Sequence, residues 1–151
     1  MKLLIDIGNS RLKWTLADAT TLASVQSLDY RVPSNWEILV SDWQALPQPQ
    51  HILIASVGSA ECLEILKSVL SRVWPNALPH RIEVISDFAG IKVAYSEPHT
   101  LGVDRWLALI ATQHYYAGKN CIVDCGTAIT VDLLTVDGQH QGGLIIPGLQ
   151  L

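Results

Sequence analysis

Eight consecutive residues, Asp6-Ile7-Gly8-Asn9-Ser10-Arg11-Leu12-Lys13, gather a carboxylate, an amide, a hydroxyl and two cationic groups around one glycine. The apolar run Leu3-Leu4-Ile5 leads into them. Such a set suits a polyanion and its counter-ion. A turn at Gly8 can aim successive backbone N–H groups at a phosphate oxygen. Lys13, on the following strand, can reach the same phosphate as a point charge. Asp6 can hold a hydrated magnesium ion, which takes one or two carboxylates together with water and phosphate. The plainer alternative is a hairpin turn with Asp and Asn in their usual turn roles. The glycine-rich strand-to-helix phosphate loop is a different pattern, and the chain does not contain it.

The unit recurs. Asp124-Cys125-Gly126-Thr127 follows Cys121-Ile122-Val123, and position 124 lies 118 residues after position 6. Here hydroxyls replace the lysine: Thr127 can bond a phosphate oxygen and Asp124 can hold a cation. An ionised group beside an apolar strand is costly unless something pairs with it. Two such carboxylates suggest a metal ion or polyanion shared by two related halves. Asp132 lies at even spacing from Thr130 and reads equally well as a solvated strand residue. A third constellation, Gly102-Val103-Asp104-Arg105, opens an apolar helix. There Asp104 can accept a hydroxyl proton while Arg105 grips an anionic substrate, or Asp104 can simply complement the helix dipole. Tyr95 sits in the long loop before it, and loops of that length are often functional.

The elements that must position these groups follow from periodicity. Strands are expected at 2–7, 11–17 and 22–28, forming a meander. A helix over 34–46 carries Trp36, Leu39, Val40 and Trp43 on one face. A β-branched strand covers 51–57. Ser59 caps a helix over 60–73 that faces inward through Leu63, Leu66, Val69 and Leu70. A short strand is expected at 81–85, then a loop from 86 to 101. The next helix, 103–116, would face inward through Trp106, Leu107, Ile110 and Ala111 or His114, with Gly118 as its stop. Strands at 120–125, 128–136 and 141–146 complete the chain. Three strands without covering helices make a poor independent domain, so a truncated second half is expected.

Composition sets bounds. The 151 residues are 49% hydrophobic and 16% charged, with a formal net charge of −4. No lysine or arginine run is present, which argues against a nucleic-acid partner. Asp6 interrupts the first apolar run too early for a signal peptide. No stretch reaches the roughly 18 apolar residues of a membrane span. Cys62, Cys121 and Cys125 make an odd number, which suggests a reducing cytoplasm. Cys121 and Cys125 share a strand face and read as two small buried residues rather than a metal pair.

Taken together, the three segments resemble the type III pantothenate kinases, a family within the superfamily of acetate and sugar kinases, heat-shock chaperones and actin. The motif D-x-G-N-[ST]-x-x-[KR] is met by Asp6, Gly8, Asn9, Ser10 and Lys13. G-x-D-R is met by Gly102, Asp104 and Arg105, and D-x-G-T-A by Asp124, Gly126, Thr127 and Ala128. Gly142-Gly143 and Pro147-Gly148 fit as well. The resemblance spans the whole chain. It implies an α/β protein of duplicated ribonuclease H-like domains of the actin-like ATPase superfamily, the first complete over 1–118 and the second, 119–151, present only as its first three strands.

The implied activity is ATP-dependent phosphorylation of pantothenate, the first step of coenzyme A biosynthesis. By the same resemblance, Asp6, Ile7, Gly8, Asn9, Ser10, Arg11, Leu12, Lys13 and Thr127 would bind ATP. Tyr95, Gly102, Val103, Asp104 and Arg105 would bind pantothenate, with Asp104 as proton acceptor. Asp6 would hold Mg2+ through water, and Asp124 a monovalent cation, K+ or NH4+. A homodimer is implied at full length. Family members continue for roughly another hundred residues by the symmetry of the repeat. The rival readings are another small-molecule kinase of the superfamily and a non-catalytic accessory or regulatory protein that keeps the fold.

Overall fold

A computed structural model describes residues 1–148. The chain divides into two compact units, one from Met1 to Ile82 and one from Glu83 onward.

In the first unit, β1 (Lys2–Ile7), β2 (Leu12–Ala17) and β3 (Gln26–Leu28) form an antiparallel meander. β4 (His51–Ser56) lies parallel to β1, and β5 (Pro79–Arg81) parallel to β4, giving the order β3-β2-β1-β4-β5. Strand alternation sends Leu3, Ile5 and Ile7 to one face, where they are buried. α1 (Ser34–Gln44) and α2 (Ala60–Val73) supply the rest of that core. Trp36, Leu39, Val40 and Trp43 come from α1, and Cys62, Leu63, Leu66, Val69 and Leu70 from α2. Trp43 stacks on Trp74 at 5.7 Å and meets the edge of Trp14 at 6.0 Å. The Ser59 cap is in place, its side chain accepting the Cys62 N–H at 3.2 Å.

Two strands differ from expectation. β3 is confined to 26–28. Asp18 accepts the N–H groups of Thr20 and Thr21 and folds residues 18–21 into a turn, leaving Leu22 only an isolated bridge to Ala17. β5 begins two residues and ends four residues earlier than the apolar pattern implies: Ile54 pairs with Arg81, and the Ile82 N–H donates the last bond, to the Ile54 carbonyl. Pro79 is tolerated as the first residue of an edge strand.

In the second unit, the expected loop 86–101 contains a small hairpin, β6 (Asp87–Phe88) and β7 (Ile91–Lys92), and a 3-10 turn at Pro98–Thr100. Ala89 and Gly90 both take positive φ, as a tight two-residue turn requires. α3 (Val103–Tyr115) packs on β9 (Ala128–Leu134) and β8 (Asn120–Cys125), and β10 (His140–Pro147) completes the antiparallel order β10-β9-β8. The repeat assigns α3 to the first domain, but its packing partners are strands of the second copy. Its inward face is Arg105, Trp106 and Leu109; Leu107, Ala111 and His114 are exposed. Cys121 and Cys125 are also exposed, contrary to expectation, and all three cysteines are free thiols. Among the described residues, no helix is long and apolar enough to cross a membrane.

Candidate active site

The first corner is closed by the Gly8 N–H, which donates to the Arg11 carbonyl at 3.0 Å. Gly8 is not among the positive-φ residues, so the phosphate nest expected there is not formed by that N–H group. Strand register sets Asp6 opposite Lys13, and alternation turns both away from the buried face. Their charged atoms are 3.7 Å apart, with side chains 41% and 53% exposed respectively. Placement on this face keeps Asp6 out of the apolar core, so the desolvation cost anticipated for a carboxylate at the end of an apolar strand is small. Ile7 and Leu12 are fully buried and can meet a ligand only through backbone. Arg11 donates from Nε to the Ser27 hydroxyl at 2.8 Å, across to β3.

Two residues without a motif hold this corner. The Tyr30 hydroxyl lies 2.9 Å from the Gly8 carbonyl and 2.7 Å from the Asn9 carbonyl. Burial raises the Tyr30 pKa, which keeps the hydroxyl a donor. Gly58 backs the same turn: a Cβ there would come 2.8 Å from the Ile7 Cγ2 and 3.3 Å from the Gly8 carbonyl oxygen.

The second corner is one residue tighter. Ile7 pairs with Leu12, whereas its counterpart Cys125 pairs with Ile129, and the Gly126 N–H closes on the Ala128 carbonyl at 3.0 Å. Asp124 stands opposite Thr130 and, like Thr127, is exposed.

The α3 start departs furthest from expectation. Asp104 lies in the first helical turn, and its Oδ1 accepts the Arg105 N–H at 2.8 Å. The Arg105 side chain does not extend to solvent. It donates from Nε and Nη2 to the two oxygens of Asp132 at 2.7 and 2.6 Å, with the two side chains only 7% and 3% exposed. Nη2 also reaches the Tyr95 hydroxyl at 3.3 Å. His140, with no exposed side-chain surface, approaches the same Asp132 oxygen through Nε2 at 2.8 Å. The Ala94 N–H donates to His140 Nδ1 at 3.4 Å, which assigns the remaining ring proton to Nε2, facing Asp132.

Asp132 is thus a buried acceptor rather than a solvated strand residue. Burial pushes its pKa up, but the hydrogen bonds from Arg105 and His140 outweigh that and hold it below the ordinary value of 3.8. The Arg105 pKa is raised, chiefly by the same bond to Asp132. β10 makes room for the ion pair with a one-residue bulge between His140 and Gly143. Any Cβ at Gly143 would run into the Asp132 carboxylate and the Arg105 guanidinium. The spacing of Asp132 hints at a shared face, but no sequence pattern marks His140 or Tyr30.

Residues 2–151 match the family model described as type III pantothenate kinase. The type III pantothenate kinase of Nitrosococcus oceani is 42% identical over 156 residues, covering 100% of this chain and 58% of that protein. That of Dichelobacter nodosus is 34% identical, covering 100% and 61%. Among solved structures, a protein from Sinorhizobium meliloti described as a 2-dehydro-3-deoxygalactonokinase superposes with a TM-score of 0.58 at 14% identity, covering 96% of this chain and 53% of that one, a likeness of fold. A protein from Campylobacter jejuni described as a Baf family transcriptional activator gives 0.53 at 25% identity, covering 97% and 55%. The chain spans about three-fifths of the length of the curated relatives it matches. It belongs to the type III pantothenate kinase family.

Proposed function

We propose that the protein carrying this chain transfers the γ-phosphoryl group of ATP to the primary alcohol of pantothenate, giving 4′-phosphopantothenate at the start of coenzyme A synthesis. The observation that carries this reading is the first corner, where an acid and a lysine face each other across adjoining strands beside a glycine turn, within a chain matched over residues 2–151 by the family model. The sheet order β3-β2-β1-β4-β5 and the recurrence of its first hairpin as β8 and β9 support duplicated ribonuclease H-like domains; the compact units divide between Ile82 and Glu83, so a boundary near residue 118 rests on the sequence repeat alone.

Phosphoryl transfer of this kind passes through a loose transition state, so catalysis is positioning and charge neutralisation. Residues 6–13 and Thr127 bind the nucleotide, Lys13 supplying a fixed positive charge. Asp104 takes the proton of the attacking hydroxyl at the start of α3. Tyr95 and Gly102 to Arg105 line the pantothenate site. Among the described residues, no group of three or more metal-ligating side chains occurs. Asp6, with its side chain 41% exposed beside Lys13, offers one carboxylate, which suits magnesium held through water together with phosphate. Asp124 offers a single exposed oxygen donor group suited to K+ or NH4+. When bound, these cations offset the charge of the transferred group. The reading includes a cytoplasmic location and a homodimer at the length of the relatives.

The description of the C. jejuni protein favours a second reading, a regulatory protein that keeps the kinase fold. The retention of Asp6, Lys13, Asp104 and Asp124 together counts against it. The test is ATP turnover by the protein at the length of its relatives, with pantothenate and with a panel of sugars and small acids, in the presence and absence of potassium. Pantothenate-dependent, potassium-stimulated ADP release supports the kinase; turnover only with another acceptor, or none, overturns it.

A further inference from the structure

The ion pair under α3 poses an energetic problem. Burying a charged pair recovers little net stability, and well-packed apolar residues of similar volume often do as well or better. Here the pair is bidentate, deeply buried, joined by a histidine with no exposed surface, and accommodated by a bulge and a glycine with no space for a side chain. Its connections lead to the groups assigned to pantothenate. Arg105 adjoins Asp104, whose carboxylate accepts the Arg105 N–H. The guanidinium holds the Tyr95 hydroxyl, and the Tyr95 ring meets the His140 ring edge-on at 5.6 Å. Nε and Nη2 of the guanidinium are taken up by Asp132 and Tyr95, which leaves Nη1 to meet a substrate without breaking the bidentate bond.

We infer that Asp132 and His140 are positioning residues that fix Arg105, and through it Asp104 and Tyr95. This rests on the proposed roles of Asp104 and Tyr95. β9 and β10 thereby set the geometry of a site whose reacting groups lie on α3 and the preceding loop.

Steady-state kinetics of the protein at the length of its relatives tests this with Asp132→Asn, His140→Gln and His140→Ala. Loss of positioning in Asp132→Asn should raise KM for pantothenate and lower kcat, together costing about 10- to 100-fold in kcat/KM. KM for ATP should stay within about twofold. His140→Gln, whose amide can still donate to Asp132, should recover most of what His140→Ala loses. A merely structural role lowers only the amount of active enzyme, and so kcat alone. An unchanged pantothenate KM in Asp132→Asn, or equal rises in both KM values, overturns the inference.

A second measurement is independent of turnover. The Arg105 Nε–H resonance should exchange slowly with solvent in the parent protein and quickly in Asp132→Asn. Equal exchange in the two proteins overturns the anchoring role. Failure of the parent protein to phosphorylate pantothenate would instead overturn the kinase reading and leave the exchange result to decide the anchor.

Discussion

Leu3, Ile5 and Ile7 occupy one face of β1 and are buried, whereas their counterparts at the repeat offset, Cys121, Val123 and Cys125, are exposed on β8. The backbone plan is the same, an antiparallel hairpin turning at a glycine after an aspartate. The difference lies in what covers it. α1 and α2 close the first sheet with tryptophans and leucines, each large apolar side chain contributing about 1.5–3 kcal/mol on burial. In the second unit α3 covers part of the sheet, and its buried face includes an arginine bound to an aspartate and a histidine. Among the described residues, one copy of the strand-turn-strand unit is held by an apolar cluster, and the other meets its helix through an ionic one.

The largest effect expected from this contrast is at Asp132. Asp132→Ala strands a buried guanidinium and should cost the second unit about 3–5 kcal/mol, read as loss of amide-exchange protection over α3 and β9 while β1 and β4 keep theirs. Equal loss in both units would break the comparison.

Next comes an apolar pair of sites. Leu66→Ala removes a fully buried α2 side chain and should cost about 2–5 kcal/mol in denaturant unfolding. Val123→Ser, at a position 55% exposed, should stay within about 0.5 kcal/mol.

The acid response should separate the units as well. The folded Asp132 pKa lies below its ordinary value of 3.8, so its stabilisation is present above that pH and is lost as pH falls through the folded value. Asp18 and Asp29 in the first unit are also held at about 2, chiefly by the Thr20 N–H and the Arg31 side chain respectively, but Asp18 is exposed and Asp29 half-buried at the surface, where solvent screens their bonds. Below about pH 3.8, protection of α3 and β9 should therefore fall before that of β1 and β4. The reverse order would show that the second unit does not depend on its ionic centre.

The smallest effect belongs to the α2 cap. Ser59→Ala should cost about 1 kcal/mol, measured as a shift in the unfolding midpoint.

What the sequence discloses about these regions follows the range of the interactions. The faces of α1 and α2 and the Ser59 cap are local, written in residues three or four apart, and the structure places them where periodicity expects. The Asp6–Lys13 pairing follows from a short hairpin. Asp132 meets Arg105 across 27 residues, and no local pattern encodes such a contact. The same buried arginine explains the misread face of α3: a search for apolar periodicity passes over Arg105 and admits Leu107 in place of Leu109. β6 and β7, two residues each, are too short to show alternation. Tyr30 acts on the first corner from a turn 22 residues away.

The most direct measurement of the central claim is the formation of 4′-phosphopantothenate by the protein at the length of its relatives, compared with its Asp104→Ala variant and followed alongside ATP binding. The parent should form the phosphorylated product. The variant should lose at least about 100-fold in turnover while binding ATP as before. Near-parental turnover in Asp104→Ala would contradict the account.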